Sequence, residues 1–248
     1  MDIGKNYNTT IKSTLVASIL YFLSGCATPP YNFIGNSPLK NVQNSYLSLS
    51  CGIPVLFEGS ASATIIYNGI AVTNKHVAKF CGDTIAAKMS DGMTFNAHVI
   101  AMSDRADLAY LSIPKDIGNV PEFADAKANE KIWAMGTTIG QHPVASGYIT
   151  TLEGYTFYNG ATAAPIEERC GHKGHMIRGI FYEARAGDGY SGGPIVNLEG
   201  KIIGITARKF TKVWNSKCEK VTLQQPLLFS HTSKQVLEEA ERLIKDIE

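Results

Sequence analysis

The chain has 248 residues, 44% of them apolar and 18% charged, which is enough apolar material for a core and excludes disorder as its main description. Lys plus Arg number 23 against 22 Asp plus Glu, so the basic excess of a nucleic-acid binder is missing and no nucleic-acid partner is expected. The 23 glycines favour a turn-rich chain of all-β barrel or sandwich size over a long-helix protein.

In chain order, Lys5 and Lys12 precede an apolar run from Leu15 to Leu23. The run is shorter than the roughly 20 residues of a membrane span and has the length of a secretory leader's apolar region. It ends in Leu23-Ser24-Gly25-Cys26, which resembles the bacterial lipobox, with cleavage before a cysteine that is then acylated. Residues 1–25 are therefore expected to be a signal peptide and Cys26 a lipidation site. Loss of two Lys and one Asp with the leader brings the formal net charge to zero. Ala27 after the lipidated cysteine implies the outer membrane, facing the periplasm, if the source is Gram-negative. Residues 26–50, with Pro29, Pro30 and Pro38, read as a polar tether.

Beyond it, short β-type runs alternate with turn signals. Residues 63–67 precede Asn68-Gly69, residues 70–73 follow it, and residues 95–100 come after Asp91-Gly92. Further β runs fall at 108–113, 131–135, 148–152 and 202–206. Only the end is firmly helical: from Thr232 or Ser233 as N-cap, Val236, Leu237, Ala240, Leu243, Ile244 and Ile247 recur at helical spacing.

Three segments carry chemistry. Thr73-Asn74-Lys75-His76-Val77 is a β run leading into a histidine, and Asp107-Leu108-Ala109-Tyr110-Leu111 opens another strand on an acid. Gly189-Tyr190-Ser191-Gly192-Gly193-Pro194 sets a serine between glycines, where a tight turn can present backbone N–H groups to a developing oxyanion. The pentapeptide around Ser191 also fits the G-x-S-x-G elbow of α/β-hydrolases. That fold orders its triad as Ser, acid, His and needs long alternating helices; here His231 is the one later histidine, just ahead of the terminal helix.

Taken together these segments resemble the trypsin-like serine proteases of the chymotrypsin fold, and among them the bacterial HtrA-type branch. Ala134-Met135-Gly136, Val144-Ala145-Ser146-Gly147-Tyr148-Ile149 and Gly200-Lys201-Ile202-Ile203-Gly204-Ile205 are similar to further family stretches, so the likeness runs from about residue 59 to 206. It implies an all-β fold of two six-stranded antiparallel barrels, roughly residues 51–125 and 126–232, with a C-terminal helix at 233–247. The implied activity is a serine endopeptidase acting on protein or peptide substrates, with no cofactor and no metal. His76, Asp107 and Ser191 would be the catalytic triad, and the N–H groups of Gly189 and Ser191 the oxyanion hole. By position, the specificity pocket would draw on Arg185, Ala186, Thr206, Ala207 and Arg208, and two arginines there would favour an acidic side chain before the cut. Asp104 competes for the acid role, but the residues after Asp107 match the family strand. A protease-fold binding or chaperone-like protein without catalysis is the alternative reading.

Two departures are plain in the residues. Trypsin carries an Asp before its serine, which pairs with a new N-terminus, whereas this chain has Tyr190. HtrA proteins commonly continue into a PDZ module of about 80–90 residues, on the usual domain scale, which residues 207–248 are too few to supply. Four cysteines remain in the mature chain, and four allow three pairings. The resemblance favours Cys51–Cys81, closing the loop that carries His76, with Cys170–Cys218 bridging loops beside the pocket. The run Cys170-Gly171-His172-Lys173-Gly174-His175 with Cys218 also has metal-ligand residue types, though not a family spacing.

Overall fold

The computed structural model describes residues 38–51, 59–137, 144–215 and 217–244. The signal-peptide and lipidation readings at residues 1–25 and Cys26 lie outside them.

Six strands form a closed antiparallel barrel: β1 (Tyr46–Cys51), β2 (Gly59–Tyr67), β3 (Ile70–Thr73), β4 (Thr84–Met89), β5 (Thr94–Met102) and β6 (Ala109–Ser112). Their order around the barrel is β1-β2-β3-β6-β5-β4. Alternate residues point inward: Leu47 and Leu49 from β1, Ala61, Ala63 and Ile65 from β2, with Ala71, Ala87, Ala97 and Leu111. The many alanines suit a barrel whose interior is filled by side chains alone. The anticipated turns at Asn68-Gly69 and Asp91-Gly92 are present, and both glycines take positive φ, 81° and 96°. A short helix, α1 (Lys75–Cys81), follows β3.

The tether reading needs correction. Residues 38–45 form two 3₁₀ turns and β1 is a barrel strand, paired with β2 on one side and β4 on the other. Leu39, Val42, Tyr46, Leu47 and Leu49 are buried. The prolines and asparagines upstream disguised an apolar alternation that begins at Tyr46. The first barrel therefore includes residues assigned to the tether, and without β1 it would be open between β2 and β4.

The second barrel contains β7 (Lys131–Met135), β8 (Val144–Phe157), β10 (His172–Ala184), β11 (Pro194–Val196), β12 (Ile202–Trp214) and β13 (Lys220–Thr232). The ring runs β13-β12-β11-β7-β8-β10 and closes by the β10–β13 pairing; a seventh strand, β9 (Ile166–Arg169), adds to β10. Ile132, Ala134, Ile149, Ile180, Tyr182, Ile195, Ile203 and Leu228 fill its core. Strands β8, β10, β12 and β13 have 14, 13, 13 and 13 residues, far beyond what the ring needs, and their excess forms projecting arms. The arms are joined by Cys170–Cys218, while Cys51–Cys81 ties β1 to the end of α1; both anticipated pairings are present.

Helix α2 (Ser233–Leu243) begins at Thr232, whose side chain accepts from the Gln235 amide while Gln235 reaches back, a full capping box. It ends four residues earlier than its apolar spacing suggests, because Ile244 is already extended. Its Val236 and Ala240 pack with Leu108 and Tyr110 of the first barrel, and the Tyr110 hydroxyl donates to Val236 O at 2.8 Å. The last helix thus braces the segment that carries Asp107.

Candidate active site

His76 sits in the first turn of α1, whose N-cap is Asn74. Instead of capping its own helix, Asn74 donates from Nδ2 to Asp107 O at 3.0 Å. The cap is supplied across the barrel: Asp107 Oδ1 accepts the His76 backbone N–H at 3.0 Å, satisfying one of the amides a helix start leaves open. The other oxygen, Oδ2, accepts from His76 Nδ1 at 2.8 Å. A carboxylate can only accept here, so the proton belongs on Nδ1 and Nε2 is left as an acceptor. Nε2 lies 3.2 Å from Ser191 Oγ. The structure therefore brings His76, Asp107 and Ser191 into one hydrogen-bonded line. Asp107 has a 2% exposed side chain and His76 a 42% exposed one, so the carboxylate is sealed while the imidazole is open to solvent. Burial opposes ionisation of Asp107, yet the hydrogen bonds and charge of His76 hold its carboxyl below the ordinary range.

Asp104 lies elsewhere. It is exposed and pairs with Arg242 of α2, while its carbonyl accepts from Ala163 N at 2.7 Å.

The Ser191 loop is anchored through its carbonyls. Ser62 N donates to Ser191 O at 2.9 Å, Ser62 Oγ to Gly189 O at 2.8 Å, and Thr64 Oγ1 to Gly192 O at 3.0 Å. Thr137 N adds a second bond to Gly189 O at 3.1 Å. With the carbonyls held by β2, the amides of Gly189 and Ser191 donate to no acceptor among the described residues. Gly189 has φ 94°, and a Cβ there would lie 1.5 Å from Thr137 O, so the position requires glycine. Gly192, at φ 86°, is equally confined, since a Cβ would lie 2.0 Å from Ser62 O. The sequence reading missed Ser62 and Thr64. Their signal was the alternation Ser60-Ala61-Ser62-Ala63-Thr64, whose polar members all leave the barrel interior to alanine and face the second barrel. Tyr190, which replaces trypsin's Asp, is buried with its ring over Gly136.

Of the pocket residues named from sequence, Thr206 is nearest the serine loop: its N–H donates to Gly193 O and its carbonyl accepts from Gly192 N, each at 2.9 Å. Its hydroxyl pairs with Tyr182 Oη at 2.7 Å. Ala186 packs with Tyr182 and Tyr190, and Ala207 with Tyr158 and Phe181. The two arginines do not converge. Arg185 is exposed, whereas Arg208 turns toward Asp107, with Nε 3.9 Å from Oδ2. Its Nη1 donates to Phe157 O at 3.1 Å and its guanidinium lies 4.8 Å from the centre of the Tyr158 ring. A bulge between Thr206 and Arg208 redirects the side chain, which sequence position could not reveal. The Tyr158 hydroxyl is raised in pKa by its burial and by the nearby Asp107 carboxylate. Cys170 and Cys218 are bonded to each other, so neither is a free thiolate for a metal.

The trypsin-like peptidase domain family matches residues 61–205. The chain belongs to that family. The "Serine protease Do-like HtrA" of Lactobacillus helveticus is 28% identical over 203 residues, 79% of this chain and 46% of that protein. The "Serine protease HTRA1" of Xenopus tropicalis is 30% identical over 158 residues, 61% of this chain and 30% of its own length. The chain thus spans under half the length of these curated relatives. Among solved structures, an HtrA-type protease AlgW with tripeptide superposes with a TM-score of 0.61 at 21% identity, covering 84% of this chain and 62% of that one. The Rv3671c protease from M. tuberculosis in its active form gives 0.63 at 17% identity, covering 84% and 85%. At these identities the structures establish the shared fold alone.

Proposed function

We propose that this trypsin-like domain is a serine endopeptidase working through Ser191, His76 and Asp107. The observation that carries the reading is the continuous line from Asp107 Oδ2 through His76 to Ser191 Oγ, with the amides of Gly189 and Ser191 donating to no acceptor among the described residues. Ser191 Oγ attacks the scissile carbonyl as His76 Nε2 takes its proton; Asp107 fixes the tautomer and stabilises the imidazolium. The amides of Gly189 and Ser191 receive the oxyanion, and each such donor is worth on the order of 10²–10³ in rate. His76 then protonates the leaving amine, the peptide bond breaks, and water hydrolyses the acyl-enzyme by the same base. The loop needs no new N-terminus to order it, because the bonds from Ser62, Thr64 and Thr137 already do so.

Protein or peptide substrates are the reading that the HtrA-type relatives support. The domain arrangement that fits this reading is a leader at 1–25 and a protease domain extending through α2, with acylation of Cys26 holding it to a bacterial envelope membrane. No helix among the described residues is long and apolar enough to cross a membrane, and the lipid would be the attachment.

Labelling with a fluorophosphonate tests the chemistry directly. The native chain should incorporate the probe at Ser191 and Ser191→Ala should not, with both retaining the same thermal unfolding. Absence of labelling in folded native protein would leave the fold without the activity. Mass spectrometry of the envelope fraction for a diacylglyceryl group on Cys26 tests the anchor.

A further inference from the structure

Between the projecting arms lies a half-open cavity of about 590 Å³ that the proposed chemistry at Ser191 does not use. Five aromatic side chains line it: Tyr155 and Phe157 from β8, Phe181 from β10, Phe210 and Trp214 from β12. The tilted rings of Phe181 and Phe210 are 5.9 Å apart, and Trp214 stands against His172 at 5.2 Å. The disulfide Cys170–Cys218 holds the arms together, and Cys170 itself lines the space. Trp214 is 46% exposed, so part of its indole is open to a ligand.

Three further observations bear on the occupant. Arg208 is at once a wall of the cavity and the neighbour of Asp107, so the space adjoins the His76–Asp107–Ser191 site through that side chain. From Arg208 to Trp214, β12 pairs with β13 on one edge and with no strand on the other among the described residues. A free strand edge beside an apolar pocket is what an extended polypeptide uses. Charge adds a sign: Arg169, Arg208 and Lys212 line the cavity against Glu153 alone, and the β12–β13 arm also carries Lys209, Lys217 and Lys220 against Glu219. Arg169 and Lys212 enter no ion pair among the described residues.

The geometry points to a second substrate subsite between the arms, which takes a bulky apolar side chain of the polypeptide flanked by acidic residues. This rests on the endopeptidase reading and extends it from the scissile bond to a remote anchor. An apolar pocket supplies the attraction, the basic rim the preference, and the disulfide a preformed shape that spares ordering on binding.

The test separates binding from chemistry. Ser191→Ala protein, inert by design, is titrated with fluorescein-labelled β-casein, an unfolded acidic polypeptide, and binding is read by anisotropy. Adding Trp214→Ala and Lys212→Glu, both on exposed side chains, should weaken binding about tenfold, the scale of a modest hot-spot loss. In the Ser191 background the same pair should raise KM for casein similarly, while turnover of a short p-nitrophenyl ester and the rate of fluorophosphonate labelling stay unchanged. The Cys170→Ser/Cys218→Ser variant, which frees the arms but keeps Cys51–Cys81, should reproduce the KM effect. Unchanged casein binding, or equal losses on casein and ester, would overturn the subsite. So would loss of binding to anionic phospholipid vesicles with casein unaffected, since the arms would then face a membrane. Failure of the protease reading shows separately, as native protein that binds casein but takes no fluorophosphonate.

Discussion

His231 gives the sharpest quantitative expectation. It lies on β13 with no exposed surface, its ring edge-on to Phe229 at 5.5 Å, and neither ring nitrogen has a partner among the described residues. Burial lowers its pKa to about 4, against about 6.5 in an unfolded chain. Below pH 6.5 the unfolded chain therefore takes up a proton that the folded protein refuses until about pH 4. Stability from this residue is fully present above the unfolded value and is lost as pH falls through that window. The slope approaches about 1.4 kcal/mol per pH unit, which accumulates to about 3 kcal/mol by pH 4. His231→Leu removes the titration along with two unpartnered nitrogens from the core, so the variant should be no less stable than native at neutral pH. Urea unfolding of both proteins at intervals from about pH 7.5 to 4 isolates the residue, since the other titrating groups are shared. The stability difference in favour of the variant should grow by about 3 kcal/mol across the series. A difference that stays constant would refute the buried, neutral and unpartnered state of His231.

The other expectations concern the site and its supports. Asp107→Asn should lower peptidase turnover by about 10⁴-fold with the fold retained, because the wrong tautomer then faces Ser191. Asp104→Asn, which loses only an exposed pair with Arg242, should leave turnover unchanged. Gly189→Ala must displace Thr137 O or flip the peptide, and should cost about 10²–10³ in kcat with little change in KM, as expected for loss of one oxyanion donor. The Cys170→Ser/Cys218→Ser variant opens a loop of 48 residues and should lose about 4 kcal/mol on unfolding in urea by the loop-closure argument.

Much of this was legible in the sequence because it is local. Glycines at 69 and 92 mark turns, alternating apolar residues mark strands, and Thr232 with Gln235 marks a helix start, each decided by neighbours a few residues away. Ser191 between glycines, the histidine after β3 and the acid before β6 are also local, and they carried the family resemblance that implied the fold and the proposed triad. The N-terminal boundary was misplaced because proline and asparagine upstream of Tyr46 read as linker, while β1 is held by partners it meets only across the barrel, on β2 and β4.

What only the tertiary structure decided are relations between distant segments. Ser62 and Thr64 are ordinary strand residues until the second barrel brings the Gly189–Gly192 carbonyls against them, 127 and 128 residues away. Arg208 was expected by position in a wall of the specificity pocket, and past a bulge in β12 its Nε comes 3.9 Å from Asp107 Oδ2, a contact that the sequence could not show. Charge shows the same division: Lys plus Arg number 23 against 22 Asp plus Glu over the whole chain. The near-balance of charge nevertheless conceals a basic β12–β13 arm, because net charge sums over residues and the fold sorts them in space.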